Sequence, residues 1–150
     1  MSLTQTITQD LTHAMKEREE PKLSTLRMLK AELQKLQADK GRGVEITDED
    51  VYSVIRRLIK QRKDAAEQYK AGGADDRAEE ELSEVKILEP YLPKQLDDSQ
   101  IDAMIEAAAK EIGATSPKDM GKLMKAVMQK AKGQADGGRV KDRVNAFLNK

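Results

Sequence analysis

Apolar side chains recur at intervals of three and four residues along almost the whole chain, the spacing that places side chains on one face of a helix. Two stripes near the N-terminus show the pattern: Leu3, Ile7, Leu11 and Met15, and then Leu26, Leu29, Leu33 and Leu36. Alternating apolar and polar runs bounded by turn residues, which are typical of strands, are missing. The sequence therefore predicts an all-α fold.

Glycine, proline and capping residues divide this pattern into separate helices. Pro21 opens the second helix, and Gly41 and Gly43 end it because glycine readily adopts the left-handed conformation. Thr47 then precedes a run of three acidic residues beginning at Asp48. A threonine cap followed by carboxylates satisfies free amides and opposes the helix dipole, so a third helix is predicted to begin there.

The third helix continues to Gly72 and Gly73, which are expected to provide a left-handed stop. A fourth helix over residues 75–89 carries seven acidic and two basic residues. We expect it to be mostly solvated. Its predicted contacts with neighbouring helices are Leu82, Val85 and Leu88.

Pro90 and Pro93 mark the predicted domain boundary. Each proline fixes φ and removes a backbone donor, so no helix passes through this segment undisturbed. We predict two helical subdomains: an N-terminal domain of residues 1–92 with about four long helices, and a C-terminal bundle of three helices in residues 93–150.

Capping signals place the three C-terminal helices. The starts are Asp97 to Ser99, Ser116 with Pro117, and Asp136, while Gly113 and Gly133 end the first two helices. The residues predicted to face inward are Ile101, Met104, Ile105, Ala108 and Ile112; Met120, Leu123, Met124, Val127 and Met128; and Val140, Val144, Phe147 and Leu148.

Composition excludes several kinds of chemistry. With no cysteine and one histidine, the chain has no disulfide framework, no thiolate nucleophile and no cysteine zinc site. We identify no catalytic residue, no metal ligand set, no nucleotide-binding loop and no required cofactor, and we expect His13 at the surface. Aromatic residues make up 3% of the chain, too few for base-stacking platforms.

The N-terminus has neither a basic n-region nor an apolar h-region, and no apolar run approaches the roughly 18 residues that a membrane helix needs. We therefore expect a cytoplasmic protein, with neither a membrane nor DNA as its partner.

Charge is segregated although the 27 basic and 27 acidic residues cancel. Residues 118–150 contain nine basic and three acidic residues. Lys118, Lys122 and Lys125 lie four and three residues apart, so on a helix they align on one face. They would bind a phosphate backbone in a salt-sensitive and largely sequence-independent way; the alternative is an ordinary solvated face.

Residues 56–63 form a second basic cluster: Arg56, Arg57, Lys60, Arg62 and Lys63. Its members spread widely around a helix, so pairing with the acidic fourth helix competes with contact to a partner.

Glycine and methionine add two weaker signals in the C-terminal part. Gly121 interrupts a helical pattern, which favours close approach of a neighbouring backbone or a partner. The methionines at 104, 120, 124 and 128 are expected to fill the core, and their flexibility would also suit an adaptable groove.

Several segments together resemble the YqeY family of bacterial GatB/YqeY-domain proteins. They are residues 86–96, with Glu-Pro-Tyr-Leu-Pro at their centre; residues 113–125, with Ser-Pro-Lys-Asp-Met-Gly-Lys; residues 130–138 with Val140; and residues 26–33 and 59–69. The similarity covers nearly the whole chain.

This resemblance implies that the C-terminal part is similar to the tail domain of GatB, a subunit of glutamine-dependent aminoacyl-tRNA amidotransferase that holds tRNA away from the chemistry. The resemblance implies RNA contacts at Lys122, Lys130, Lys132 and Gly133, and the charge pattern adds Lys118 and Lys125. Arg139 completes the predicted set, at a position where this sequence departs from the family pattern. Gly133 would let the RNA backbone approach closely. Nothing matches the catalytic domain of GatB or the Ser-Lys amidase of its partner subunit, so any carbon–nitrogen ligase activity with glutamine as amido donor would be inherited from the shared tail.

The leading hypothesis is a tRNA-associated helical module without its own active site. One alternative is an adaptor that docks on an amidotransferase or aminoacyl-tRNA synthetase subunit through the methionine-lined bundle or the acidic fourth helix. Another is an enzyme that assists amide transfer from glutamine. Sequence leaves open the tRNA species, the protein partner, the oligomeric state and the angle between the two parts.

Overall fold

A computed structural model describes residues 2–149, and within them the chain forms seven α-helices and no strand, which confirms the all-α prediction. The chain divides into two compact units at Leu92 and Pro93, called here the N-terminal unit and the C-terminal unit. The helices are α1 (Leu3–Glu17), α2 (Lys22–Lys40), α3 (Asp48–Ala71), α4 (Asp75–Leu88), α5 (Asp98–Ile112), α6 (Met120–Ala131) and α7 (Gly137–Leu148). Two 3₁₀ turns, Glu89–Tyr91 and Pro117–Asp119, follow α4 and precede α6.

Side chains immediately before the helices fix several of their starts. Thr47 accepts the amide N–H of Asp50, whose carboxylate accepts the amide of Thr47 in return, at 3.1 and 2.9 Å. Asp97 and Gln100 form the same reciprocal box at α5. The caps predicted at Thr47 and Asp97 are therefore confirmed, and each box satisfies two amides that a helix start leaves free.

The core of the N-terminal unit lies between α3, α4 and the α1–α2 pair. The fully buried large side chains are Ile7, Leu26, Leu29, Val51, Ile55 and Leu88. Helix α4 contributes Ala78, Val85 and Leu88 to the buried face, whereas the predicted contact Leu82 is only partly buried. The acidic residues at the start of α4 face solvent, as predicted.

Two residues placed on apolar stripes by their spacing lie outside the core. Met15 is 50% exposed and Ile112 is 42% exposed. Steps of four residues advance 400° around a helix of 100° per residue, so a stripe drifts by about 40° at each step. In α1 the buried position after Leu11 is therefore Ala14, three residues on. Ile112 has not drifted in this way, because its angle around α5 matches that of the buried Ile101 and Ile105; it is exposed as the last residue of the helix.

Tyr91 joins the 3₁₀ turn after α4 to the first helix. Its hydroxyl donates to the Asp10 carboxylate, with the two oxygens 2.6 Å apart. Partial burial raises the pKa of Tyr91 well above its usual range, and the nearby Asp10 carboxylate raises it further. The phenol therefore stays protonated and keeps donating throughout the neutral and moderately alkaline range.

Thr25 is expected to weaken the N-terminal unit. Its side chain is fully buried and its hydroxyl oxygen has no hydrogen-bond partner within residues 2–149. Because an unpartnered buried hydroxyl costs about 1 kcal/mol or more, Thr25→Val, which keeps the shape, should raise the free energy of unfolding by about 1 kcal/mol. Urea denaturation would measure the gain; a lower midpoint would show that the hydroxyl is satisfied.

The C-terminal unit packs α5, α6 and α7 against one another in all three pairs. Its fully buried large residues are Ile101, Ile105, Leu123, Val127, Val140 and Val144. Two hydrogen bonds join the segment before α5 to the loop between α6 and α7. The Gln95 amide donates to the carbonyl of Gly133 at 2.9 Å, and the Leu96 N–H donates to the carbonyl of Gln134 at 2.8 Å. The loop between α6 and α7 is thus held by the residues that lead into the unit.

Candidate nucleic-acid interface

Helix α6 has one apolar and one basic face. Leu123, Val127 and Ala131 are buried against α5 and α7. On the opposite side Lys122 and Lys125 are exposed. Because the helix contains no acidic residue, its exposed side is positively charged along its length.

Lys118 is also exposed and lies in the 3₁₀ turn that precedes α6. The turn is held by Asp119, whose carboxylate accepts the amides of Thr115 and Ser116 at 2.9 and 3.2 Å. These backbone donors, Thr115 first, together with the charge of Lys122, lower the pKa of Asp119. The carboxylate is therefore occupied by backbone amides while it remains next to the lysines.

We define the lysine face as Lys118, Lys122 and Lys125. All three side chains are exposed, and among residues 2–149 none of them forms an ion pair. Gln129, one turn beyond Lys125, is exposed at the same angular position and was missed by the sequence analysis. The spacing four residues after Lys125 is the signal that identifies it. The lysine face thus offers three exposed ammonium groups that form no ion pair within residues 2–149, Lys122 lying near the Asp119 carboxylate, and Gln129 adds an amide beside them.

Two other predicted lysines lie near the end of the same helix. Lys130 forms an ion pair with Glu111 of α5, with nitrogen and oxygen 2.9 Å apart, so its charge is partly neutralised. Lys132 is exposed and follows α6 in the left-handed conformation, with φ at 44°. A non-glycine residue in that conformation costs about 1 kcal/mol or more. Of the two, Lys132 forms no ion pair within residues 2–149.

Gly133 and Arg139 lie apart from the lysine face. Gly133 is buried at φ 81°, and its carbonyl accepts from Gln95, so this carbonyl is used inside the unit. The Arg139 guanidinium donates to the Asp98 carboxylate at 2.7 and 2.9 Å and to the Leu96 carbonyl at 3.0 Å. Gly133 therefore forms part of the turn after α6, and Arg139 links α7 to the start of α5 by hydrogen bonds.

Arg143 repeats this arrangement one turn further along α7. It forms a bidentate pair with the Asp102 carboxylate of α5, one contact measuring 2.8 Å. The carboxylate raises the pKa of Arg143, although arginine is charged at any relevant pH. These two arginines of the basic C-terminal part therefore serve the packing of α7 on α5.

The second basic cluster, in α3, largely pairs within the N-terminal unit. Arg62 donates to Glu84 of α4 at 3.0 Å and also contacts the sulfur of Met28, and Lys63 lies 3.9 Å from Glu89. Arg57, however, pairs with Glu32 of α2 at 3.0 Å. The basic cluster therefore pairs with a glutamate of α2 as well as with the acidic fourth helix and the turn that follows it.

Other kinds of site find little support in the part of the chain that the structure describes. Over residues 2–149 no group of three His, Asp or Glu side chains is arranged to hold a metal ion. His13 is exposed, as predicted, and lies 3.7 Å from a Glu19 carboxylate oxygen. None of the helices within these residues is long and apolar enough to cross a membrane.

Comparison with known proteins identifies the family. Among curated relatives, "Altered inheritance of mitochondria protein 41, mitochondrial" of Pyrenophora tritici-repentis is 28% identical over 128 residues, 84% of this chain and 69% of that protein. The protein of the same name from Lachancea thermotolerans is 26% identical over 110 residues, 72% and 58% of the two chains. An uncharacterized protein of Schizosaccharomyces pombe is 35% identical over 88 residues, 59% and 70%. The family described as "Yqey-like protein" matches residues 4–148, nearly the full length, and the chain therefore belongs to the YqeY family.

Proposed function

We propose that this protein binds tRNA through the lysine face of its C-terminal unit and has no active site of its own. The observation that carries the proposal is the lysine face itself: three exposed ammonium groups that form no ion pair within residues 2–149, two of them on a helix that has no acidic residue. Lysines that neutralise phosphates release the counterions condensed on the RNA, and this release favours binding.

The chemistry of the lysine face favours the sugar-phosphate backbone over the bases. Lys122 and Gln129 are seven residues apart, about 10 Å along a helix with a rise of 1.5 Å per residue. The exposed side between them presents ammonium and amide groups, which contact phosphate and sugar oxygens, and no aromatic ring on which a base could stack. Recognition would therefore depend on RNA shape and charge.

The choice of tRNA among RNAs rests on the family. The C-terminal unit is similar to the tail domain of GatB, which links the protein to glutamine-dependent tRNA amidotransfer. We propose Lys118, Lys122, Lys125 and Lys132 as its contacts. Three predicted contacts are left out: Lys130, which pairs with Glu111, Gly133, whose carbonyl accepts from Gln95, and Arg139, whose guanidinium pairs with Asp98. We also propose a cytoplasmic location; two of the relatives, in contrast, carry "mitochondrial" in their names.

A salt titration of tRNA binding tests this proposal. If three phosphates are neutralised, the association constant should fall roughly 20- to 40-fold between about 50 and about 200 mM salt, because each contact contributes a logarithmic slope of about −0.7 to −0.9. Fluorescence anisotropy with labelled tRNA measures the slope. An association constant independent of salt, or no binding at about 50 mM, would contradict the proposal.

A second candidate function is an adaptor that docks on an amidotransferase or aminoacyl-tRNA synthetase subunit. The start of α4 favours it with four exposed carboxylates: Asp75, Asp76, Glu79 and Glu80. Crosslinking in cells, analysed by both RNA sequencing and mass spectrometry, separates the two candidates. Protein crosslinks that persist after ribonuclease treatment, without RNA crosslinks, would favour the adaptor.

A further inference from the structure

Gly121 has no role that the fold explains. It is the second residue of α6 and is exposed. A Cβ atom added there would meet no heavy atom within 4 Å, and its φ is not in the left-handed region. Alanine would suit this helical position better, because glycine loses more backbone entropy on folding. Packing inside the unit therefore gives no reason for a glycine.

The residues around Gly121 are those of the lysine face. Lys125 follows Gly121 by four residues and shares its side of α6, whereas Lys122 is the next residue, about 100° further around the helix. Lys118 precedes Gly121 by three residues, in the 3₁₀ turn, so the three lysines flank Gly121 along the chain. Because Gly121 has no side chain, the helix backbone is uncovered at this position. A bare backbone flanked by ammonium groups admits a polyanionic strand more closely than an ordinary helix face does.

We infer that Gly121 is the point at which the RNA strand approaches α6 most closely, with its sugar-phosphate edge on the bare backbone between Lys118 and Lys125. The inference rests on the proposed function and specifies its ligand. Three ammonium groups spread over two helical turns fit consecutive phosphates of a continuous strand better than one isolated phosphate. Gly121 is then a positioning residue that determines how closely the RNA strand can approach the backbone of α6.

Gly138 supplies a matched control. It is the second residue of α7, in the same unit, and is exposed with φ outside the left-handed region. An added Cβ would make only an ordinary 3.5 Å contact with the Asp136 carboxylate. A Cβ atom at either glycine therefore fits the fold without a close contact, while only Gly121 is flanked by the lysine face.

The experiment compares Gly121→Ala and Gly121→Leu with Gly138→Ala and Gly138→Leu in the full chain. We expect both alanine variants to raise the melting temperature, because each replaces a helical glycine. Affinity for tRNA at low salt should fall about threefold in Gly121→Ala and about tenfold or more in Gly121→Leu, because added side-chain volume excludes the strand. The Gly138 variants should bind within about twofold of wild type. Circular dichroism checks that helix content is unchanged.

The outcomes separate this inference from the proposed function. If wild type binds tRNA with the expected salt slope and Gly121→Leu binds equally well, the close approach at Gly121 is refuted and the tRNA proposal stands. If Gly138→Leu loses as much affinity as Gly121→Leu, the loss is not local to the lysine face and the inference is likewise refuted. If wild type does not bind tRNA, both fail together.

Discussion

Replacing Lys118, Lys122 and Lys125 together by glutamine is expected to weaken tRNA binding about tenfold or more at about 50 mM salt, and to reduce the logarithmic salt slope by about two to three. Each ammonium group is exposed and lacks an internal ion pair, so its removal takes a phosphate contact away without disrupting the fold. Glutamine keeps the length and helix propensity of the side chain. The melting temperature should therefore stay within a few degrees of wild type.

The control for this variant removes the same charge elsewhere. Lys16, Lys70 and Lys86 are exposed in the N-terminal unit, and none of them forms an ion pair within the described residues. Their triple replacement by glutamine leaves the lysine face intact. Equal losses of affinity in the two triple variants would show that only total charge matters, and would contradict a defined interface.

Leu123→Ala is expected to have the largest effect on stability, about 3 kcal/mol in the free energy of unfolding of the C-terminal unit. Leu123 is fully buried on the side of α6 opposite the lysine face. Truncating such a leucine removes apolar burial and leaves a cavity. A unit of 58 residues, 93–150, has a total stability of only about 3–9 kcal/mol, so this loss is a large part of it.

Residue-resolved hydrogen exchange measures this prediction. Amides of α5, α6 and α7 should lose protection in Leu123→Ala, while those of the N-terminal unit, whose core shares no residue with that of the C-terminal unit, should keep theirs. Lys125→Ala, on the opposite side of the same helix, is the control and should leave protection unchanged. Equal loss of protection in both units would mean that the chain unfolds as one cooperative body.

Local signals in the sequence were sufficient to place most helices. N-caps, carboxylates in first turns and glycine stops act within three or four residues, so the starts at Thr47, Asp97 and Asp136 and the stop at Gly113 agree with the structure. Apolar periodicity was less precise. It put Ile112 inside because its angle around α5 matches that of the buried residues, but periodicity does not show that Ile112 is the last residue of the helix, where it is exposed.

The ends of α6 show where local rules fall short. Ser116 and Pro117 were expected to start this helix, but they start a 3₁₀ turn, and α6 begins at Met120. At the other end Lys132 adopts the left-handed conformation one residue before Gly133, the residue expected to stop the helix. The preference for glycine is about 1 kcal/mol, an amount that packing of the loop between α6 and α7 can override.

The lysine face was predictable because its three lysines lie within eight residues of one helical segment. The surroundings of Gly133 and Arg139 were not predictable in this way. Gln95 and Asp98, which engage them, lie 38 and 41 residues earlier in the chain. Contacts over such separations depend on how α5 and α7 pack, and neither periodicity nor charge counting reports on that packing.

The hydrogen bonds from Gln95 and Leu96 to the loop after α6 bear on where the C-terminal unit can be cut for expression. A fragment that begins at Asp98, where the first helix of the unit starts, would lose both donors and leave the carbonyls of Gly133 and Gln134 without these partners. A fragment that begins at Pro93 retains both. Proteolytic trimming to the helical boundary would therefore yield a product less soluble and more readily digested than one only five residues longer.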